Sequence, residues 1–302
     1  MLRVAVIGGI NIDVLALVDR QPDDDHPAVI HAVADLPGGK GANQAAAAAR
    51  LGAEVRLLGA VGDDDDGVRV VRDLTAAGVD CRAVRISRSA PTGRVVGTVT
   101  REGTKRTAAL GGANLRLTAD HVAGFEAAIV GADVVICQLE PPPETVRVAL
   151  EVAAAAGVPA LLDLAPAQGP LRELFPLARW VTGNRGEANA ATGVTVEDRD
   201  TAREAATVIR AHGPSTAGVT VNAAGQLVAW SGGEAWNEPD RSVPIVDTAG
   251  AGDAFAATLA VALGEGLDLP DAAALASRAS TLACRALGAQ AALPTREELE
   301  WS

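Results

Sequence analysis

Residues 42–78, ANQAAAAARLGAEVRLLGAVGDDDDGVRVVRDLTAAG, place a short apolar run between two longer segments of helical composition. Similar runs recur downstream in DVVICQLE (133–140), VPALLDLAP (158–166) and GVTVNAAG (218–225), with alanine-rich or charged segments between them. Strands that alternate with helices at this spacing predict a parallel sheet that is covered on both faces. We therefore expect an α/β fold with a doubly wound, mostly parallel sheet.

Two stretches interrupt this alternation. Residues 14–37 contain alternating, partly polar segments, and residues 92–110 contain the pattern of a hairpin that turns at Glu102 and Gly103. We expect the two excursions to pair into a small β-sheet at one edge of a single domain spanning residues 1–302, where the sheet would serve as a lid. The alternative is two surface hairpins without a role.

Composition limits the classes of function. The chain has 302 residues, 48% of them hydrophobic, which is typical of one folded domain with a substantial core. Its formal net charge of -12 argues against a nucleic-acid partner or an anionic membrane surface. The three cysteines are far apart and the four histidines show no ligand spacing, which favours a reduced, cytoplasmic setting without structural zinc.

Membrane insertion and secretion are not expected either. No segment approaches the about 18 unbroken apolar residues that a membrane helix needs. The apolar run after the initial MLR is too short for a signal peptide and is soon interrupted by glycine and Asp13.

The segment DTAGAGDAF (247–255) places small residues and an acid at a predicted helix start. Helix starts leave backbone N–H groups unpaired and carry partial positive charge, so small residues there let an anion approach closely. Gly250, Ala251 and Gly252 could form an anion hole, with Asp253 beside it as a general base. The alternative is a capped helix that follows a tight turn.

The segment LPGGKGANQAAAAARLG (36–52) contains a second glycine turn. It is not a Walker A loop, because Gly41 and not a serine or threonine follows Lys40. GGINID after the first strand also lacks the spacing of a dinucleotide-binding loop. The turn would bring Lys40 and Asn43 to a helix start, where they could hold hydroxyl groups; alternatively, Lys40 is a solvated loop lysine.

Polar residues also follow predicted strands. Asn11 and Asp13 share a face near the end of the first strand, Glu140 ends the strand in residues 133–140, and Asn184 with Glu187 follows another. Ligands of open α/β sheets bind at the carboxyl ends of the strands. Each residue alone could be a cap or a solvated loop residue, but their shared placement favours one site.

The motifs GINID, PGGKGANQAAAAARLGA, VGDD, PTGR, LGGAN, QLE, NRGE, DTAGAGDAF and GAQ together resemble the ribokinase-like carbohydrate kinase family, also called PfkB, and within it the ribokinase group. The resemblance extends from the first strand to nearly the last helix. It implies transfer of the γ-phosphate of ATP to the primary hydroxyl of a small sugar, on a doubly wound α/β domain with a small β lid. It also implies a homodimer formed through the lid.

The resemblance assigns roles to individual positions. It makes Asp253 the catalytic base, with the amides from Gly250 to Asp253 stabilising the transferring phosphate. It implies sugar-binding positions at Asn11, Asp13, Gly39, Lys40, Asn43 and Glu140, and nucleotide-binding positions at Asn184, Glu187, Thr220 and Gly225. Glu187 would organise Mg²⁺ through water. A monovalent cation, usually K⁺, would be held by Asp247 and Ala249 with main-chain oxygens of Ala283, Ala286 and Gly288.

The chain departs from the family pattern at several positions. Asp163 stands where asparagine is common, Gly183 where proline is frequent, and Asn222 in place of a turn glycine. Ala291 and Ala292 replace a proline and a serine in the cation loop, and DDDHPAVIHA (23–32) replaces a segment that borders the sugar.

Aromatic content bears on the substrate. The chain has no tyrosine, and its three phenylalanines and four tryptophans all lie at or after Phe125, outside the predicted lid. Nucleosides are usually held by aromatic stacking, so a small sugar such as ribose is expected. Deoxyribose, a fructose-type ketose, a nucleoside and a non-catalytic sugar- or nucleotide-binding protein are the alternatives.

Overall fold

The structure, a computed structural model, describes residues 1–100 and 105–301. Within them the strands are β1 (Arg3–Ile7), β2 (Asn11–Val18), β3 (Ile30–Gly38), β4 (Glu54–Leu58), β5 (Ala60–Gly62), β6 (Val79–Asp80), β7 (Arg85–Ser87), β8 (Gly93–Thr100), β9 (Lys105–Leu110), β10 (Val134–Cys137), β11 (Ala160–Asp163), β12 (Trp180–Asn184), β13 (Thr216–Thr220), β14 (Gln226–Trp230) and β15 (Gly233–Asn237). The helices are α1 (Lys40–Arg50), α2 (Asp65–Ala76), α3 (Ala119–Ala123), α4 (Glu126–Val130), α5 (Pro143–Ala155), α6 (Leu171–Leu174), α7 (Arg185–Thr192), α8 (Arg199–Arg210), α9 (Ala251–Gly264) and α10 (Leu269–Ala283).

In this part of the chain, nine strands form a large sheet in the order β15-β14-β13-β12-β11-β10-β1-β4-β6. The strands from β13 to β6 pair in parallel, and β14 and β15 add an antiparallel edge. Every residue of β10 and β11 is buried, as expected where helices cover both faces. The predicted α/β fold with a doubly wound, mostly parallel sheet is confirmed.

Two apolar cores lie on opposite faces of this sheet. Val4 and Val6 of β1 belong to one core, which is completed by α1, α9 and α10, whereas the alternate residues Ala5 and Ile7 belong to the other, which α5 and α8 cover. This alternation is the two-residue period of a strand. The helix α9 is buried along nearly its whole length, and its alanines allow close packing against α1 and α10.

The two excursions pair into a separate small sheet, defined here as β3-β2-β8-β9. β2 pairs with β3 antiparallel and with β8 parallel, and β8 pairs with β9 antiparallel. The small sheet starts earlier than expected, because the chain leaves β1 and enters β2 at Asn11. Asn11 and Asp13 therefore lie at the start of β2, not at the end of the first strand. The predicted turn at Glu102 and Gly103 lies outside the described residues.

A third, two-stranded sheet joins β5 and β7. Across residues 1–100 and 105–301, no helix combines the length and the hydropathy that crossing a bilayer would require. That the chain is one domain and that the small sheet acts as a lid remain predictions.

Candidate active site

A cavity of about 990 Å³ opens at the carboxyl ends of β11, β12 and β13. Many of the predicted site residues line it, namely Lys40, Asn184, Glu187, Thr220, Ala249, Gly250, Ala251, Gly252 and Asp253. Asp163, at the end of β11, and Asn222 line it as well. The structure thus brings the two glycine motifs together at one site, although more than two hundred residues of sequence separate Lys40 from Asp253.

The cavity borders the start of α9. Gly250, the residue before the helix, has a left-handed backbone with φ 79° and makes no side-chain cap. Within the described residues, the backbone N–H groups of Gly250, Gly252 and Asp253 donate to no acceptor, and a methyl group at Gly252 would meet no atom within 4 Å. Free amides beside open space, at the positive end of a helix, are suited to bind an anion.

Asp253 lies in the first turn of α9 and is only 4% exposed. Its Oδ2 accepts a hydrogen bond from Asn43 Nδ2 at 2.8 Å, and its Oδ1 accepts one from Gln44 Nε2 at 3.0 Å. The carboxylate is therefore held by α1 and does not cap its own helix. That geometry favours the general-base interpretation of Asp253 over the capping alternative.

Lys40 is the first residue of α1 and lines the same cavity as Asp253 and Glu187. Burial is the largest single influence and would lower its pKa, but the charges of the surrounding acids together outweigh burial and raise the pKa of Lys40 above its usual value; these acids are Asp253, Asp163, Glu187 and Glu140. Lys40 is therefore a permanently charged cation in an acidic cavity, not a solvated loop lysine. The glycine before it permits this placement, because Gly39 has φ 90° and a Cβ there would lie 2.6 Å from Asn11 N.

A second group of polar residues lies where the small sheet meets α1. Glu140 accepts hydrogen bonds from Asn11 Nδ2 at 2.8 Å and from the backbone N–H of Lys40 at 2.7 Å. Burial raises the pKa of Glu140, and the Lys40 charge opposes that rise. Asn114 donates to Asn11 Oδ1 at 2.7 Å. Glu140, Asn11 and Asn114 are thus pre-oriented polar groups.

Asp13 belongs to the same region. Its Oδ1 is buried and has no hydrogen-bond partner among residues 1–100 and 105–301. Burial, with smaller contributions from Asp253 and Asp247, raises the pKa of Asp13 to about 6, although the Lys105 charge opposes the rise. An unpartnered buried carboxyl oxygen is suited to accept a hydrogen bond from a ligand hydroxyl.

Asn184 and Glu187 both cap α7 and line the cavity. Asn184 Oδ1 accepts from the N–H groups of Gly186 at 2.8 Å and Glu187 at 3.0 Å, and Glu187 Oε2 accepts from the Asn184 N–H at 2.8 Å. The cap interpretation of these residues is therefore correct, and it is compatible with a binding role. Glu187 Oε1 accepts no hydrogen bond from the described residues and remains free for a water or a cation.

Two of the departures have structural consequences. Asp163 is buried, and its Oδ2 accepts a hydrogen bond from Gln44 Nε2 at 2.6 Å. Burial raises the pKa of Asp163 well above its usual range, with the Lys40 charge in opposition. Asn222 has φ 47°, so it does supply the left-handed turn conformation. Gly225 follows it but does not reach the cavity; it packs beside the Trp236 ring.

The predicted cation loop is centred on Asp247. Its Oδ1 accepts from the Ala249 N–H and its Oδ2 from the Gly288 N–H, each at 3.0 Å, and Lys105 Nζ lies 3.7 Å from Oδ1. Within the part of the chain that the structure describes, the carbonyl oxygens of Ala249, Ala283, Ala286 and Gly288 accept no hydrogen bond. Carboxylate and carbonyl oxygens are the ligands that hard cations prefer, so these residues fit the predicted group.

Sequence reasoning assigned no role to Gln44, Asn114, Gln138 or Gln290. Gln44 stands beside Asn43 in PGGKGANQ and Asn114 ends LGGAN, so both lay within quoted motifs. Gln138 precedes Glu140 by two positions in QLE, and Gln290 ends GAQ. Their contacts with the site depend on tertiary structure, which the motifs alone did not reveal.

Comparison with known proteins identifies the family. The model of the pfkB family carbohydrate kinases matches residues 1–296. The chain is 33% identical over 300 residues to the ribokinase of Bacillus subtilis, covering 99% of each protein. It is 34% identical over 301 residues to the bifunctional ribokinase/ribose-5-phosphate isomerase A of Fructilactobacillus sanfranciscensis, of which it spans 56%. The structure of Arabidopsis thaliana ribokinase complexed with ribose and ATP superposes with a TM-score of 0.89 at 27% identity, over 99% of this chain and 98% of that one. The chain therefore belongs to the pfkB family of carbohydrate kinases.

Proposed function

We propose that this protein is an ATP-dependent ribokinase, which transfers the γ-phosphate of ATP to the primary hydroxyl of D-ribose. The observation that carries the proposal is the placement of Asp253 beside the free amides of Gly250 and Gly252. A carboxylate next to an anion-binding helix start can remove the proton of a hydroxyl while the amides bind the phosphate that the hydroxyl attacks. The likeness to ribokinases over the full chain supports ribose as the sugar.

The sugar is bound where the small sheet meets α1. Asp13 and Glu140 accept hydrogen bonds from its hydroxyl groups, and Asn11 contributes its amide. Gly39 has no side chain and its backbone lies against β2. The sugar can therefore approach the backbone closely at this point. Asn43 acts mainly on Asp253, to which it donates its Nδ2 hydrogen bond. Since Asp13 and Asn11 come from the small sheet, movement of that sheet would close the sugar site as a lid.

The nucleotide occupies the larger part of the cavity. Lys40 and the helix start bind the transferring phosphate, and Thr220 and Asn184 line the region of the remaining nucleotide. Gly225 shapes the turn after Thr220. Mg²⁺ would be held with ATP through water by Glu187, whose Oε1 is free, and it would neutralise part of the phosphate charge.

In the reaction, Asp253 accepts the proton of the primary hydroxyl as its oxygen attacks the γ-phosphorus of ATP. The bond from that phosphorus to the bridging oxygen breaks, and ADP leaves. The free amides of Gly250, Gly252 and Asp253 and the Lys40 ammonium stabilise the charge on the phosphoryl oxygens. The Ala251 N–H takes no part, because it donates to the carbonyl oxygen of Thr248. The products are ribose 5-phosphate, ADP and a proton.

The decisive experiment measures ADP release with Mg²⁺ and K⁺ against ribose, deoxyribose, fructose, adenosine and cytidine. We expect ribose to give the highest kcat/KM, and Asp253→Asn to lower kcat at least about 100-fold because proton removal is lost. Ribose binding, followed by calorimetry, should persist in that variant. Full turnover by Asp253→Asn would refute the assigned role, and turnover with a nucleoside alone would move the substrate from sugars to nucleosides.

We expect activation by K⁺ at the loop of Asp247 and Gly288, because the free carbonyl oxygens there match a monovalent cation. The measurement is kcat in carefully K⁺-free sodium buffer and in potassium buffer, with Asp247→Asn as the variant that abolishes the difference. Equal rates of the unaltered protein in both buffers would contradict the assignment.

The assembly expected is a homodimer through the small sheet. Val33, Val96 and Leu110 on β3, β8 and β9 are 59%, 53% and 53% exposed, and a second copy would cover such apolar side chains. Light scattering should give twice the monomer mass, and a monomer at micromolar concentration would exclude this arrangement.

We place the reaction in the cytoplasm, where Cys81, Cys137 and Cys284, all unpaired, stay reduced.

A further inference from the structure

Both oxygens of the Asp253 carboxylate are held by side-chain amides of α1. Asn43 Nδ2 lies 2.8 Å from Oδ2 and Gln44 Nε2 lies 3.0 Å from Oδ1. An ionised carboxylate only accepts hydrogen bonds, so each amide must present its NH₂ group to Asp253. If either amide rotated by half a turn, its oxygen would face the carboxylate and repel it.

Two further glutamines prevent that rotation. Gln290 Nε2 donates to Asn43 Oδ1 at 3.0 Å, and Gln138 Nε2 donates to Gln44 Oε1 at 2.6 Å. Each donor occupies the oxygen of one amide and thereby directs its NH₂ group towards Asp253. We propose that Gln138 and Gln290 are positioning residues for the kinase reaction, which orient the two amides that hold the catalytic base.

Gln138 shows this arrangement most directly. It is fully buried, and its Oε1 has no hydrogen-bond partner among the described residues. An unsatisfied buried oxygen costs free energy, yet the opposite orientation would place that oxygen against Gln44 Oε1. Gly8 leaves room for the amide, since a Cβ at Gly8 would overlap Gln138 Oε1. The end of β1 therefore lacks a side chain where the Gln138 carboxamide lies.

Gln44 also links the base to a second carboxyl group. Its Nε2 lies 2.6 Å from Asp163 Oδ2 and 3.0 Å from Asp253 Oδ1, so its two hydrogens serve two acids. Loss of the Gln138 hydrogen bond would release Gln44 and disturb both carboxyl groups. Loss of the Gln290 hydrogen bond would affect Asn43 and Asp253 alone.

The expected effects follow from these contacts and rest on the proposed role of Asp253. Hydrogen bonds to a carboxylate favour its ionised form and fix its orientation towards the substrate hydroxyl. Gln290→Met and Gln138→Met should each lower kcat by about 10- to 100-fold, the effect of a misplaced catalytic group. The KM values for ribose and ATP should change little. The acidic limb of the kcat/KM profile should move to higher pH.

A double-variant cycle separates positioning from a general structural effect. If Gln290 acts through Asn43, then Gln290→Met should have almost no further effect on kcat in an Asn43→Leu background. Asn189→Met provides the control, because Asn189 is an exposed amide residue on α7 and should leave kcat unchanged. Unchanged kcat and pH profile in the Gln290→Met variant, or a full additional loss in the Asn43→Leu background, would overturn the inference.

The same measurements keep the two proposals apart. An active Asp253→Asn protein would show that the assigned base is wrong. An inactive Asp253→Asn protein together with a fully active Gln290→Met protein would refute the positioning role alone. Circular dichroism melting checks that each variant folds; Gln290 is only partly buried, so its variant remains informative if Gln138→Met does not fold.

Discussion

Gly250 and Gly252 offer a matched pair of substitutions at the start of α9. Gly250 has φ 79°, and a Cβ there would lie 2.7 Å from Ala289 Cα and would also press against the carbonyl oxygen of Ala289. Gly252 is helical, and a Cβ there would meet no atom within 4 Å. The same change, glycine to alanine, therefore meets opposite surroundings two residues apart.

The two substitutions should change stability in opposite directions. A left-handed alanine at position 250 costs about 1–2 kcal/mol, and displacement of the backbone at Ala289 adds about 1–3 kcal/mol. Gly250→Ala should therefore lower the free energy of unfolding by about 2–5 kcal/mol. Gly252→Ala should raise it by about 0.5–1 kcal/mol, because alanine is the better helix residue.

Activity should fall in both variants, although their stabilities change in opposite directions. The activity assay therefore reports on the site, and the unfolding assay reports on the fold. The methyl group of Gly252→Ala would occupy cavity space beside the free amide, where the proposed mechanism brings a phosphate oxygen. Loss of such a donor costs about 100-fold in kcat. Urea unfolding and ADP release on the same preparations test both claims. A stable Gly250→Ala protein would refute the argument from backbone conformation, and a Gly252→Ala protein with full turnover would refute the anion hole.

Two further predictions concern stability. Asp64 caps α2 through the Gly67 N–H at 2.8 Å and accepts a hydrogen bond from the N–H of Thr92 at 2.8 Å. Asp64→Ala should therefore lower the free energy of unfolding by about 2–4 kcal/mol in urea titrations. Asp63→Ala, at an exposed neighbouring position, is the control, and an equal loss of stability in the two variants would contradict the capping role of Asp64. Burial raises the pKa of Asp13 to about 6, so the folded protein binds the Asp13 proton more tightly than the unfolded chain. Stability should therefore fall by up to about 3 kcal/mol as pH rises from about 4 to about 6. Asp13→Asn should remove this part of the pH dependence, and an unchanged profile would argue against it.

The large sheet was predictable because each strand and its helix are local in sequence. The apolar run in residues 42–78 became β4 and β5 between α1 and α2, and the burial of β10 and β11 follows from their continuous apolar composition. The start of β2 was harder to predict from the sequence. Asn11 pairs with Gly38 on one side and Gly93 on the other, so its strand depends on two distant partners and not on its own composition.

The residues of the candidate site also divide into those that local sequence could predict and those that it could not. The placement of Asp253 beside free backbone amides was predictable because one helix start contains both, and helix starts have a local signature. The amides that orient Asp253 have none, since Gln138 and Gln44 are separated by 94 residues and Gln290 and Asn43 by 247. A glutamine in an apolar segment shows its role only when its partner is known, and the partner depends on how α1, α9 and β10 pack. Hence the groups proposed to react can be recognised in local motifs, whereas the groups proposed to orient them require the tertiary fold.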